Sequence, residues 1–194
     1  MLPRRMSPTR KIAAVLLAAA ALGVAGCGDD EGTAGEAGVE PEREGLALEL
    51  QGLEYNVFIT RQLNLSLPED KAYYSGPAAP PGSALYGVFI EVCNKNDDGP
   101  ARPSADRFRI KDTQGAEFEP VDLPASNQFA YHAAPLPPSQ CIPARGSVPQ
   151  LGPTGGAMLL FRLPQAATEN RPLELEIFGA RPGDPEHVTV ELDI

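Results

Sequence analysis

Positive charge is scarce in this 194-residue chain, which has 16 lysine and arginine residues against 26 aspartate and glutamate residues. Four of the basic residues precede Cys27; the rest of the chain keeps 12, for a formal charge of −14, and contains no basic run. A surface this acidic repels phosphate groups. The sequence therefore predicts neither nucleic-acid binding nor attraction to anionic lipid headgroups through a polybasic patch.

A run of apolar residues long enough to cross a bilayer is also missing. The longest one, Ile12–Gly26, has roughly 15 residues, whereas a transmembrane helix needs about 20. Basic residues precede this run and small residues end it. Residues 1–26 therefore predict a secretory signal peptide rather than a membrane span.

The end of this segment, Val24-Ala25-Gly26, leads directly into Cys27 and resembles the bacterial lipobox. Small side chains fit a narrow peptidase groove, and a cysteine at the new N-terminus offers its thiol for diacylglyceryl transfer. Stable anchoring takes two or more acyl chains. We therefore expect Cys27 to carry acyl chains such as palmitate and to hold the protein on the extracytoplasmic face of a cell membrane.

The segment 27–45 contains no aromatic residue and one large apolar residue, Val39. A segment so rich in glycine, alanine and glutamate cannot bury enough surface to offset the entropy lost on ordering it. We therefore expect lipidated Cys27 to be followed by a disordered acidic tether, which holds the next domain a few nanometres from the membrane.

Residues 46–194 show no convincing amphipathic helix, and the 21 prolines and 19 glycines of the chain favour turns. Apolar residues instead recur at every second position, as in strands with one face on a core. This alternation covers 46–50, 53–59, 173–177 and 188–194, while 85–93 and 157–163 are more continuously apolar, as central strands are. A hairpin is predicted over 108–118, with Gly115 at its turn, and one helical turn over 69–74. The sequence thus predicts a single all-β domain, an antiparallel β-sandwich.

Cysteine and histidine, the usual ligands of zinc, are rare. With Cys27 lipidated, Cys93 and Cys141 have only each other as partners, and export favours a disulfide between them. A free reactive thiol or half of a metal site are the alternatives, but the distant His132 does not complete zinc-ligand spacing. We expect no metal and no cofactor.

A second metal candidate is the segment Asn94–Gly99, which begins like a calcium loop with side-chain oxygens at positions 1, 3 and 5 and glycine at position 6. Ala105 stands where the closing glutamate of such a loop is needed. A polar turn between strands explains the same residues without a metal.

No set of nucleophile, base and orienting group stands out. The serines near His132 in the sequence lie outside any Gly-x-Ser-x-Gly elbow: Ser126, Ser139 and Ser147. The Gly-rich segment Gly152–Gly156 lacks the lysine of a phosphate loop. We therefore predict no catalytic residue and a non-enzymatic binding or interaction module. The alternative is a small extracytoplasmic hydrolase or redox protein that uses His132 or the Cys93/Cys141 pair.

One Pro-rich segment carries a candidate interaction surface formed by Phe129, Tyr131 and His132. Phenylalanine and tyrosine are enriched in interface cores, so these side chains could contact an unknown protein or small ligand. The alternative is that the two aromatic rings cap the ends of the hydrophobic core.

Five segments follow one another as in a known family. They are Gly52–Val57, Tyr86–Asn94 (YGVFIEVCN), Phe108–Phe118, Leu136–Cys141 (LPPSQC) and Ala157–Pro164 (AMLLFRLP). This order resembles the immunoglobulin-like domains of bacterial surface lipoproteins known as domain of unknown function 4352, over most of residues 52–178. The cysteine pair and Ser139, where glycine is usual, depart from that pattern. The resemblance implies an immunoglobulin-like β-sandwich outside a membrane, and it implies no chemistry.

Overall fold

The computed structural model describes residues 41–181, 183 and 186–194. The predicted signal peptide, the predicted lipidation of Cys27 and most of the predicted tether lie outside these residues. Within the described ranges, no helix has the length and apolar character needed to cross a membrane.

Strands dominate the described residues. In chain order they are β1 (Glu42–Arg43), β2 (Ala47–Leu50), β3 (Leu53–Leu63), β4 (Ser83–Cys93), β5 (Arg102–Pro103), β6 (Arg107–Lys111), β7 (Glu117–Phe118), β8 (Pro135–Leu136), β9 (Cys141–Ile142), β10 (Ala157–Pro164), β11 (Leu173–Phe178) and β12 (His187–Leu192). The helices are short: α1 (Pro68–Tyr73), α2 (Val148–Leu151) and a 3-10 helix (Gln165–Glu169). The predicted strands, the hairpin β6–β7 and the helical turn at α1 are confirmed.

The strands form two main sheets that face each other. The first sheet has the order β1-β12-β11-β6-β7, and the second has the order β10-β4-β3-β2, with β9 added beside β4. A small third sheet pairs β5 with β8. One core cluster takes side chains from both main sheets, among them Tyr55, Ile90, Phe161, Leu175 and Val190. The predicted all-β, immunoglobulin-like sandwich is therefore confirmed as an architecture.

The N-terminal edge of the domain differs from the prediction in two ways. Strand β1 pairs with β12 in parallel, so the sandwich is not wholly antiparallel. This strand also lies within the segment 27–45 that was predicted to be a tether, so the ordered domain begins before Leu46. The Glu44 side chain explains the order: its two carboxylate oxygens accept hydrogen bonds from the backbone N–H groups of Thr60 and Asp193.

Strand β4 is apolar along most of its length because both of its faces are covered. Val88 and Ile90 point into the core between the sheets, while Leu85 and Phe89 point to the outer face of the second sheet. There a second cluster forms, in which Tyr73 of α1 packs over Phe89 with ring centroids 5.0 Å apart. The apolar run that predicts a central strand is thus apolar because each face of the strand packs into a different core.

A β-bulge in β3 changes which residues of that strand face the core. The register with β4 shifts between Val57 and Ile59, so that two residues of β3 stand where one would pair. Beyond the bulge, Thr60 is buried at 5% exposure and Ile59 is 40% exposed. The simple alternation that placed Ile59 on the same face as Val57 is therefore wrong at this position.

Candidate functional site

The two cysteines form the predicted disulfide. Cys93 of β4 and Cys141 of β9 lie directly opposite each other in the ladder, with Cα atoms 4.1 Å apart and sulfur atoms 2.05 Å apart. A carboxylate oxygen of Glu91 lies within 4.8 Å of both sulfur atoms. Because each sulfur is bonded to the other, neither is available as a thiolate ligand in this oxidised state. The bond ties β9 covalently to β4, and with β9 it holds the segment that leads to α2.

The loop Asn94–Gly99, which starts with the oxygen spacing of a calcium site, is held in place by its first residue. Asn94 is buried; its Nδ2 donates to the Leu136 carbonyl, and its Oδ1 accepts from the backbone and side chain of Asn96. Ser139 donates its backbone N–H to the Asn94 carbonyl. These contacts are those of a turn stabilised by its own side chains, and they link the loop to the segment before Cys141.

Phe129 does not lie on the surface, which corrects its place in the candidate interaction surface. Its side chain is 8% exposed and belongs to the second cluster, with its ring centroid 4.9 Å from that of Tyr73. The loop is held in place because Asn127 donates a hydrogen bond from Nδ2 to the Tyr73 carbonyl. The alternative, that the aromatic rings complete a core, is confirmed for Phe129.

Tyr131 is half-buried and also serves the core. Its ring packs edge-on against Phe108 with centroids 5.1 Å apart, and its hydroxyl donates to the Ala105 carbonyl. The Ala105 N–H in turn donates to the hydroxyl of Tyr55. Burial raises the pKa of Tyr55 to about 12, and burial likewise raises the pKa of Tyr131. The two tyrosines therefore hold the buried backbone of Ala105 from both of its polar groups.

This pair predicts loss of stability in alkali. The unfolded chain ionises its tyrosines near pH 10, whereas folded Tyr55 keeps its proton until about pH 12. The unfolded state then binds fewer protons, so the free energy of unfolding should fall as the pH rises from about 10 to about 12. Urea unfolding across this range, with tyrosinate absorbance as a second signal, measures the effect. The Tyr55→Phe/Tyr131→Phe variant should show a weaker fall; an equal fall would contradict the assignment.

His132 is exposed and lies between two cavities. The first, about 440 Å³, is lined by His132, by the acidic residues Asp106, Glu119 and Asp122, and by apolar residues such as Met158. The second, about 310 Å³, is lined mainly by apolar side chains and by Ser147. Ser147 Oγ is buried and has no hydrogen-bond partner among the described residues. His132 thus lines both the cavity that holds the carboxylates and the cavity that holds Ser147, and Ser147 Oγ forms no hydrogen bond with it.

The feature that sequence reasoning missed lies at the β3 bulge. Phe58 is 37% exposed, and its ring packs against the loop before β10, where a Cβ atom on Gly155 would lie 3.6 Å from it. The same loop follows α2, whose Leu151 is 73% exposed. Six large apolar side chains are exposed among the described residues: Leu46, Phe58, Ile59, Leu67, Val148 and Leu151. We call five of them the apolar face, because they lie where the chain enters the domain, at the β3 bulge, or on α2 before the loop that contacts Phe58: Leu46, Phe58, Ile59, Val148 and Leu151.

A signal for the apolar face was present in the sequence. Val57, Phe58 and Ile59 are three consecutive apolar residues inside an alternating strand, and a run of this kind is not compatible with a polar outer face. Without the register of β3 on β4, however, the run does not say which of the three is exposed.

The two sheets and their shared core define the described residues as an all-β sandwich domain. Among solved structures, the chain is similar to an uncharacterized β-sandwich protein from Clostridium difficile, with 10% sequence identity over 79% of this chain and 97% of that one and a TM-score of 0.42. No family model matches the chain, and no curated protein does.

Proposed function

We propose that this protein is a membrane-anchored extracytoplasmic lipoprotein whose β-sandwich is a non-catalytic binding module. The observation that carries the binding role is the apolar face, which keeps large apolar side chains in water although two cores are available to bury them. Grouped apolar side chains on a surface mark sites of interaction. The anchor follows from the basic residues, the apolar run and the small residues that precede Cys27.

The alternative of a hydrolase has weaker support. A serine nucleophile needs a base within hydrogen-bond reach, and Ser147 Oγ has no such partner among the described residues. A redox role for the Cys93/Cys141 pair requires that an attacking thiolate reach a sulfur atom. Cys93 is buried, and Cys141 is only partly exposed.

The anchor is tested by the Cys27→Ser variant. Without the thiol no diacylglyceryl group can be transferred, while the basic and apolar regions that direct export stay intact. We expect wild-type protein to partition into the detergent phase, and the variant to partition into the aqueous phase or to remain as unprocessed precursor. Wild-type protein that is fully water-soluble, with an N-terminus other than Cys27, would overturn the proposal.

A further inference from the structure

We propose that the apolar face is a membrane-contacting surface, and that its occupant is the bilayer in which the lipid on Cys27 is anchored. This inference rests on the proposed function, because it takes the anchor as given. The bilayer is then what the binding module contacts, and the apolar face is the side of the sandwich that makes the contact.

The position where the chain enters the domain supports this orientation. The Gly45 N–H donates to the Val57 carbonyl at 2.7 Å, so the entering chain runs beside the β3 bulge. Glu44 accepts from the Thr60 N–H on the same stretch of β3. Leu46 follows directly and is exposed, as Phe58 and Ile59 are. The anchored end of the domain is therefore the end that carries the apolar face.

The length of the predicted tether limits how far this end can move from the membrane. Fully extended, the 14 residues 27–40 can span at most about 50 Å. A domain of this size has a radius of gyration of about 15 Å, or about 40 Å across as a sphere. The entering side therefore lies within about 50 Å of the bilayer, little more than the width of the domain, and stays at a high local concentration of lipid.

The charge of the protein narrows the kind of lipid surface. With a formal charge of −14 after Cys27, the protein is not attracted to anionic headgroups. Contact must therefore come from burial of the side chains of Phe58, Ile59, Leu151 and their neighbours at the boundary between headgroups and acyl chains. A neutral bilayer should suit this contact better than an anionic one.

The absence of tryptophan from the sequence allows a direct test. Phe58→Trp and Leu151→Trp place a single fluorophore on the apolar face of full-length, lipidated protein. Phe178→Trp is the matched control, because Phe178 lies on the outer side of the first sheet, where Arg107 stacks on its ring at 4.1 Å. The proteins are incorporated in phosphatidylcholine vesicles with brominated acyl chains, which quench tryptophan only at close range.

We expect Phe58→Trp and Leu151→Trp to lose emission in brominated vesicles relative to unbrominated ones, and Phe178→Trp to show no loss. Anionic lipid added to the vesicles should reduce the quenching. Flotation of each protein with its vesicles reports the anchor separately. Protein that floats without quenching of the two face probes would overturn the inference and leave the anchor standing. Protein that does not float would overturn both.

A second copy of this chain is the competing occupant. In that case the emission of Phe58→Trp would shift as the number of proteins per vesicle rises, without any effect of bromine. This result would also overturn the membrane assignment. Circular dichroism melting of each variant, compared with that of the wild type, verifies that the substitutions leave the fold intact.

Discussion

Phe129→Ala should lower the free energy of unfolding by about 3–5 kcal/mol, as expected for the loss of a buried phenylalanine ring. Phe129 is 8% exposed and lies in the cluster that joins α1 to the outer face of the second sheet, against Tyr73 and near Met158. Removing the ring leaves a cavity between the helix and the sheet. Urea unfolding followed by circular dichroism measures the change.

The control for this prediction is Phe58→Ala, a substitution of the same kind on the apolar face. Because Phe58 is 37% exposed, the loss should be clearly smaller than for Phe129. A larger loss of stability for Phe58→Ala than for Phe129→Ala would contradict the burial of the Phe129 ring. It would also restore Phe129 as a candidate for contact with a partner.

Removing the disulfide with Cys93→Ala/Cys141→Ala should lower the free energy of unfolding by roughly 4 kcal/mol. The bond closes a separation of 48 residues. In the chain-entropy model this closure lowers the conformational entropy of the unfolded chain and thereby stabilises the fold. Urea unfolding of the variant measures the loss, and wild-type protein unfolded in the presence of a reductant should behave like the variant. Titration of unfolded, unreduced protein should find no thiol from either residue. Two free thiols would show that the bond does not form.

The parts of the fold that could be predicted from sequence are those fixed by local pattern. In β11, Leu173, Leu175 and Ile177 face the core, as their alternation with glutamates predicts. On the opposite face Glu174 is partly exposed, whereas Glu176 is buried and paired with Arg109. The disulfide could be predicted because Cys93 and Cys141 had no other partner once Cys27 was assigned to the lipid.

The parts that could not be predicted depend on contacts between distant residues. The exposure of Ile59 follows from the register of β3 on β4, which a single strand sequence does not contain. The burial of Phe129 follows from the placement of α1, more than 50 residues earlier in the chain, with which Asn127 forms its hydrogen bond at a separation of 54 residues. The sequence of strand β1 resembles a tether because Glu42 and Arg43 are polar. The strand is ordered by its pairing with β12, far along the chain, and by the hydrogen bonds of Glu44.

The short parallel pairing of β1 with β12 also determines how the domain responds to mechanical tension. A pull on the N-terminal end of the described residues reaches Glu42 and Arg43 first among the paired residues, and only two residue pairs join this strand to Val190 and Glu191. These pairs, the two hydrogen bonds of Glu44 and the bond from the Gly45 N–H to Val57 are few beside the nine residue pairs that join β3 to β4. Under load, β1 would therefore separate from β12 first and release residues 41–46, whose fully extended length is about 20 Å at about 3.3–3.6 Å per residue. The sandwich itself, from β2 onward, would be spared until that extension is used up.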